Sequence, residues 1–226
     1  MDLLDRIDRQ IDDRHLLNHP FYTKWNAGTL PREALQEYAR QYYAFESSFP
    51  RFLSALHSRT EDAGVRQRIL ENLWDEEHGH DNHAEMWLKF AEGIGVSRED
   101  VRSAHRNAAT RSLVDLYREV TTTAPVAEGV AAIYAYERQV PDVAQSKIDG
   151  LLAHYDVQEG PALSFFKVHG VLDIEHSGEE REMLGELVSA GNVDQEGVSA
   201  AAQRALDAWW DFLSAVDQPV TSAVAA

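Results

Sequence analysis

The stretch HGVLDIEH, residues 169–176, decides how this chain is read. It carries three side chains able to bind metal, His169, Asp173 and His176, spaced by four and then three residues. On a helix of 3.6 residues per turn, those offsets are about 400° and about 700°, so all three point within about 60° of one another. Phe165, Val168 and Leu172 place an apolar row on the same face, which therefore looks inward. Unpaired polar atoms are costly there. A buried His-Asp-His row calls for a cation, and two imidazoles with a carboxylate suit iron, manganese or zinc.

Two other segments offer matching groups. In LENLWDEEHGHDNHAEMW (70–87), a single helix would put Ile69, Leu73, Glu76, His80, His83 and Trp87 on one stripe. Glu76 and His83 then stand two turns apart on a mostly apolar face. In VAAIYAYERQVP (130–141), Glu137 shares the face of Val130, Ile133 and Tyr134, just before Pro141 stops or kinks the helix. Three carboxylates (Glu76, Glu137, Asp173) and three imidazoles (His83, His169, His176) fit two divalent ions, with a net charge near +1. One ion alone would need only three or four of them. With 10 His and 38 Asp and Glu, some acidic-histidine clutter is expected, and HGHDNH can be read as a solvated patch. Three separate inward-facing clusters outweigh that reading. His80 shares the inward stripe and stands as the alternative to His83. Glu77-x-x-His80 also matches the Glu-x-x-His pattern of ferritin-like bundles, with Asp173-x-x-His176 approximating the second copy.

The rest of the chain reads as helix throughout, without strand alternation or repeats. Helices are expected over 2–16, after His19-Pro20 to about Gly28, and from an N-cap at Thr29–Glu33 through about residue 59, kinked at Pro50. The next runs over 62–93, a capping box at Ser97–Asp100 opens a short one, and others cover about 111–122, 125–140, 142–155, 161–190 and 194–215. The expectation is an all-α bundle forming one domain over residues 1–216, with a loose tail at 217–226. For the three ligand clusters to meet, the helices must surround a central pocket. A net charge of −17 repels nucleic acid and anionic membrane surfaces alike. No apolar run approaches the ~20 residues needed to span a bilayer. The chain has no Cys, hence no disulfide, thiolate nucleophile or iron–sulfur site. MDLLDRIDRQIDDRH is amphipathic and acidic, unlike a signal peptide, so a cytoplasmic location is expected.

The arrangement Glu76-x6-His83, Glu137, His169-x3-Asp173-x2-His176 resembles the ligand pattern of heme-oxygenase-like dimetal oxidases. With HPFYTKW (19–25), WDEEHGHDNHAEMW (74–87) and YAYERQVP (134–141), it is most similar to the family of the Chlamydia protein associating with death domains, from about residue 15 to 190. The resemblance implies a heme-oxygenase-like helical fold, a pair of metal ions (Fe/Fe or Mn/Fe), and dioxygen with an external reductant as co-substrates. It further implies synthesis of p-aminobenzoate for folate from a tyrosine of the chain itself, at most once per chain. By position the sacrificed ring is Tyr22, the amino donor is Lys147 in AQSKIDG, and Tyr38 and Tyr136 are candidate electron relays. A homodimer is expected from the fold family. An unperturbed lysine titrates near ~10.4 and is a poor donor while protonated. The amino-donor role therefore requires Lys147 to be at least partly buried near the metals or bound to one. The bland readings are a core aromatic for Tyr22, beside Phe21 and Trp25, and a surface amine for Lys147. Two other functions compete: a multi-turnover dimetal oxygenase on a small external substrate such as a fatty acid or amino acid, and a metal-free helical interaction protein. The same fold hosts thiamin-degrading and quinone-cofactor-forming enzymes, so fold alone does not give function; the missing cysteine disfavours the thiamin role.

Overall fold

Side-chain caps set where most helices begin. In the computed structural model, which describes residues 2–191 and 193–218, Asp2, Asp62, Asn82, Ser97 and Asn107 each accept a backbone N–H from three residues on. The order is α1 (Leu3–Asp13), α2 (Pro20–Asn26), α3 (Arg32–Glu46), α4 (Phe49–Arg59), α5 (Ala63–Glu77), α6 (His83–Gly93), α7 (Arg98–Arg102), α8 (Ala108–Thr122), α9 (Val126–Glu137), α10 (Val140–His154), α11 (Ser164–Ser189) and α12 (Gln195–Val216). Among the described residues there is no strand, and no helix is long and apolar enough to cross a membrane. Of the expected tail, residues 219–226 lie outside the described residues.

Helix α9 forms the centre. Its sequence, VAEGVAAIYAYE, is buried on nearly every side because alanine and glycine let α11, α12 and α8 approach closely. At Gly129 a Cβ would lie 2.6 Å from Leu56 and 3.1 Å from the Val120 carbonyl. Gly150 plays the same part on α10, where a Cβ would fall 2.5 Å from the Trp25 ring. That contact draws α10 against α2, and so places Lys147, one turn earlier, beside Tyr22.

Three expectations about helices are corrected. The helix expected to run to residue 59 with a kink is two helices. Pro50 lacks an N–H, and its ring clashes with the carbonyl four residues back, that of Glu46, so α3 ends there. The helix over 62–93 is also two. The chain leaves α5 after Glu77, turns through Gly79 at φ +88°, and restarts when Asn82 caps α6. Thr29 is not a cap: its hydroxyl donates back to the Lys24 carbonyl, and α3 opens from Pro31.

Candidate metal centre

Four helices deliver the candidate ligands. Glu76 is near the end of α5, His83 is the first residue of α6, Glu137 is the last of α9, and His169, Asp173 and His176 line one face of α11. All six are at most 5% exposed. The stripe drawn through 69–87 as one helix does not exist, yet Glu76 and His83 still meet. The turn at 78–82 folds α6 back so that His83 Nδ1 lies 3.0 Å from Glu76 Oε2. His80 sits in that turn and is exposed, so the alternative ligand is set aside; Glu77 is exposed too, which removes the Glu77-x-x-His80 pairing. On α11, His169 Nδ1 faces the Asp173 carboxylate at 3.1 Å, and His176 Nδ1 lies 3.8 Å from Asp173 and 3.9 Å from Glu137. The outer nitrogen of His176 is held by Asp75 at 3.2 Å, which fixes the ring so that Nδ1 points inward. Asn72 donates to both Glu137 oxygens, at 3.1 and 3.2 Å.

Two more carboxylates join the six, and neither was expected. Glu46, the last residue of α3, offers an oxygen in one cluster with Glu76, His83 and His169, their ligand atoms all within 4.8 Å of one another. Glu180 lies two turns beyond Asp173 on α11, buried against Glu137. Both sit on four-residue spacings that a helix puts on one face. Glu46 follows Tyr38 and Tyr42 at intervals of four, and Glu180 follows His176 by four.

The electrostatics are those of a site built around cations. Burial, then the negative charge of neighbouring Glu76, holds the Asp173 carboxyl well above its ordinary range. Burial and Asp173 push Glu137 up to about 8. Burial would also raise Glu76, but His83 beside it keeps it below the usual value. His83 resists its own desolvation because of Glu76 and rises to about 9. Five buried atoms here have no hydrogen-bond partner, Glu46 Oε1, Asn72 Oδ1, His169 Nε2, His176 Nδ1 and Glu180 Oε2, and Glu76 Oε2 and His83 Nδ1 have only each other. Buried polar groups are nearly always paired, so so many orphans in one place mark missing partners. Carboxylate oxygens and imidazole nitrogens aimed inward fit divalent transition metals.

Beside this cluster lies an aromatic one. Lys147 is buried, its Nζ 5.8 Å from the Tyr22 ring centre, 5.3 Å from Tyr38 and 5.2 Å from Tyr42. Burial lowers its pKa to about 7, although Glu46 and Asp173 pull the other way. The surface-amine reading of Lys147 is therefore overturned. Tyr22 is a buried aromatic whose hydroxyl lies 3.3 Å from that of Tyr38. Tyr136, the neighbour of Glu137, turns the other way and bonds hydroxyl to hydroxyl with Tyr42. Tyr42 stacks on Trp87 at 4.0 Å. Two small cavities reach these groups, each of about 10 Å³. One is lined by Tyr22, Tyr42, Tyr136 and Lys147; the other runs between Leu53, Leu56, Ile69 and Met183 to His176 and Glu180. Each holds about one water-sized molecule.

A helical bundle carrying this centre is an oxidoreductase, and the chain belongs to the family of iron-containing redox enzymes, whose sequence model matches residues 36–210. It is 41% identical to the 4-aminobenzoate synthase of Chlamydia pneumoniae over 211 residues, 93% of each chain. It is 38% identical to the 4-aminobenzoate synthase of Nitrosomonas europaea, covering 94% of this chain and 90% of that one. Among solved structures it resembles a domain of unknown function with a heme-oxygenase-like fold from Shewanella denitrificans. The TM-score is 0.78 at 20% identity, over 96% of this chain and 92% of the other. The fold is thus all-α and heme-oxygenase-like.

Proposed function

We propose that this chain is a 4-aminobenzoate synthase that draws its product from the side chain of its own Tyr22. The observation that carries the reading is the placement of the Tyr22 ring, buried beside the centre and within 6 Å of the buried Lys147 amine. A tyrosine side chain holds seven carbons, six in the ring and one at Cβ, as many as 4-aminobenzoate. Making one from the other requires the Cα–Cβ bond to break, Cβ to be oxidised to a carboxylate, and nitrogen to replace oxygen at the para carbon.

Glu76, His83, Glu137, His169, Asp173 and His176 are the residues that would hold two redox-active ions, either two irons or manganese with iron. Such ions, supplied with electrons by an external reductant, provide activation of dioxygen. The chain's own residues do the rest. Carboxylates neutralise the cations, and Asp75 and Asn72 hold His176 and Glu137 in place. Trp87, Phe165 and Tyr42 exclude water from the centre. Burial keeps a large share of Lys147 as the free amine near neutral pH, the form that can give up nitrogen. Tyr38 meets the Tyr22 hydroxyl and Tyr136 that of Tyr42, contacts through which an electron relay would run.

The test is reconstitution of purified protein with iron and manganese, followed by reductant and oxygen. Wild type should release 4-aminobenzoate, and Tyr22→Phe should release none. Full product from Tyr22→Phe would remove Tyr22 from the account and favour an external substrate.

A further inference from the structure

We propose that Glu46 is a ligand of the ion held by Glu76, His83 and His169, a fourth protein side chain on that metal; this rests on reading the centre as a metal site. Three independent observations lead there. The Glu46 carboxylate lies in one cluster with the ligand atoms of the other three, all within 4.8 Å of one another. The residue is only 3% exposed, and its Oε1 has no hydrogen-bond partner. It is also the last residue of α3, where unsatisfied carbonyls give the helix end a partial negative charge. A buried carboxylate with an unpartnered oxygen at that end is a costly arrangement that a cation in front of it relieves.

The place of Glu46 in the fold adds a consequence. Tyr38, Tyr42 and Glu46 recur every four residues on one face of α3, so ligation at Glu46 would anchor the helix that carries two of the buried tyrosines to the metal itself.

The competing role is that of a buried acid holding the helices together without touching metal. Cobalt(II) loading of wild type, Glu46→Gln and Glu46→Asp, followed by chelator competition and visible spectroscopy, separates the two. Loss of a partner outside the coordination sphere costs about 10–100-fold in affinity. Loss of a ligand should weaken one of two cobalt sites by more than about 100-fold, change its visible band, and leave the second site within threefold. If Glu46→Gln does not fold, Glu46→Asp should still show the weakened site with wild-type melting. Two cobalt ions bound by the variants with unchanged affinity and spectrum would overturn the proposal while leaving the metal centre intact. No cobalt binding by wild type would overturn the centre and the proposal together.

Discussion

Replacing Lys147 by Met tests the burial of that amine with the least disturbance, since Met keeps a flexible apolar stem of similar length. Lys147 titrates near 10.5 in the unfolded chain and at about 7 in the folded protein. Between those values the unfolded state binds more protons than the native state, so this residue makes stability rise with pH across that window. Below about pH 7 both states are protonated, and the native state bears the full penalty of a buried ammonium. At ~1.36 kcal/mol per pKa unit, the difference amounts to about 5 kcal/mol at low pH, about 4 at pH 7 and about 2 at pH 9. Metal-free Lys147→Met should therefore be more stable than wild type by about 4 kcal/mol at pH 7, and the gain should shrink to nothing near pH 10.5. Urea melts of both proteins at pH 7, 8 and 9, each after chelation, give the difference directly, with other titrations cancelling. A stability difference that does not change with pH would refute the reasoning, because Lys147 would then be ionised and solvated in the folded protein.

His169→Ala removes a proposed ligand whose Nε2 has no partner; elemental analysis should find bound metal reduced by at least one ion per chain. His80→Ala changes an exposed turn residue and should leave metal content and product yield unchanged. Gly150→Ala drives a methyl into the Trp25 ring, with the Cβ at 2.5 Å. It should cost about 1–3 kcal/mol in a urea melt, and it should lower product yield because α10 carries Lys147.

The three groups on α11 were legible in the sequence because one helix displays its own periodicity: His169, Asp173 and His176 need no tertiary information to share a face. Glu76 and His83 were paired by an argument that the structure replaces. Their seven-residue spacing matched two helical turns, while Gly79 and Asn82, a left-handed glycine and a capping asparagine, signalled a break between them. The chain reverses instead of continuing, and the two side chains meet across the reversal. Glu46 has no histidine at helical spacing beside it in the sequence and stands as a lone carboxylate at the end of an aromatic row. What marks it is its neighbours, Tyr42 and Tyr38 one and two turns earlier, all facing the core. The packing of α9 against α4 and α8, and of α10 against α2, depends on close contacts at Gly129 and Gly150, whose role shows only when their neighbours Leu56 and Trp25 are in view.

The central claim is that the product's atoms come from this chain. Protein grown with uniformly carbon-13-labelled tyrosine and nitrogen-15-labelled lysine, then purified and supplied with iron, manganese, unlabelled reductant and oxygen, tests it most directly. The account predicts 4-aminobenzoate carrying seven labelled carbons and one labelled nitrogen, never more than one equivalent per chain, and a matching mass loss confined to the peptide containing Tyr22. Unlabelled product, or several equivalents from an intact chain, would contradict it.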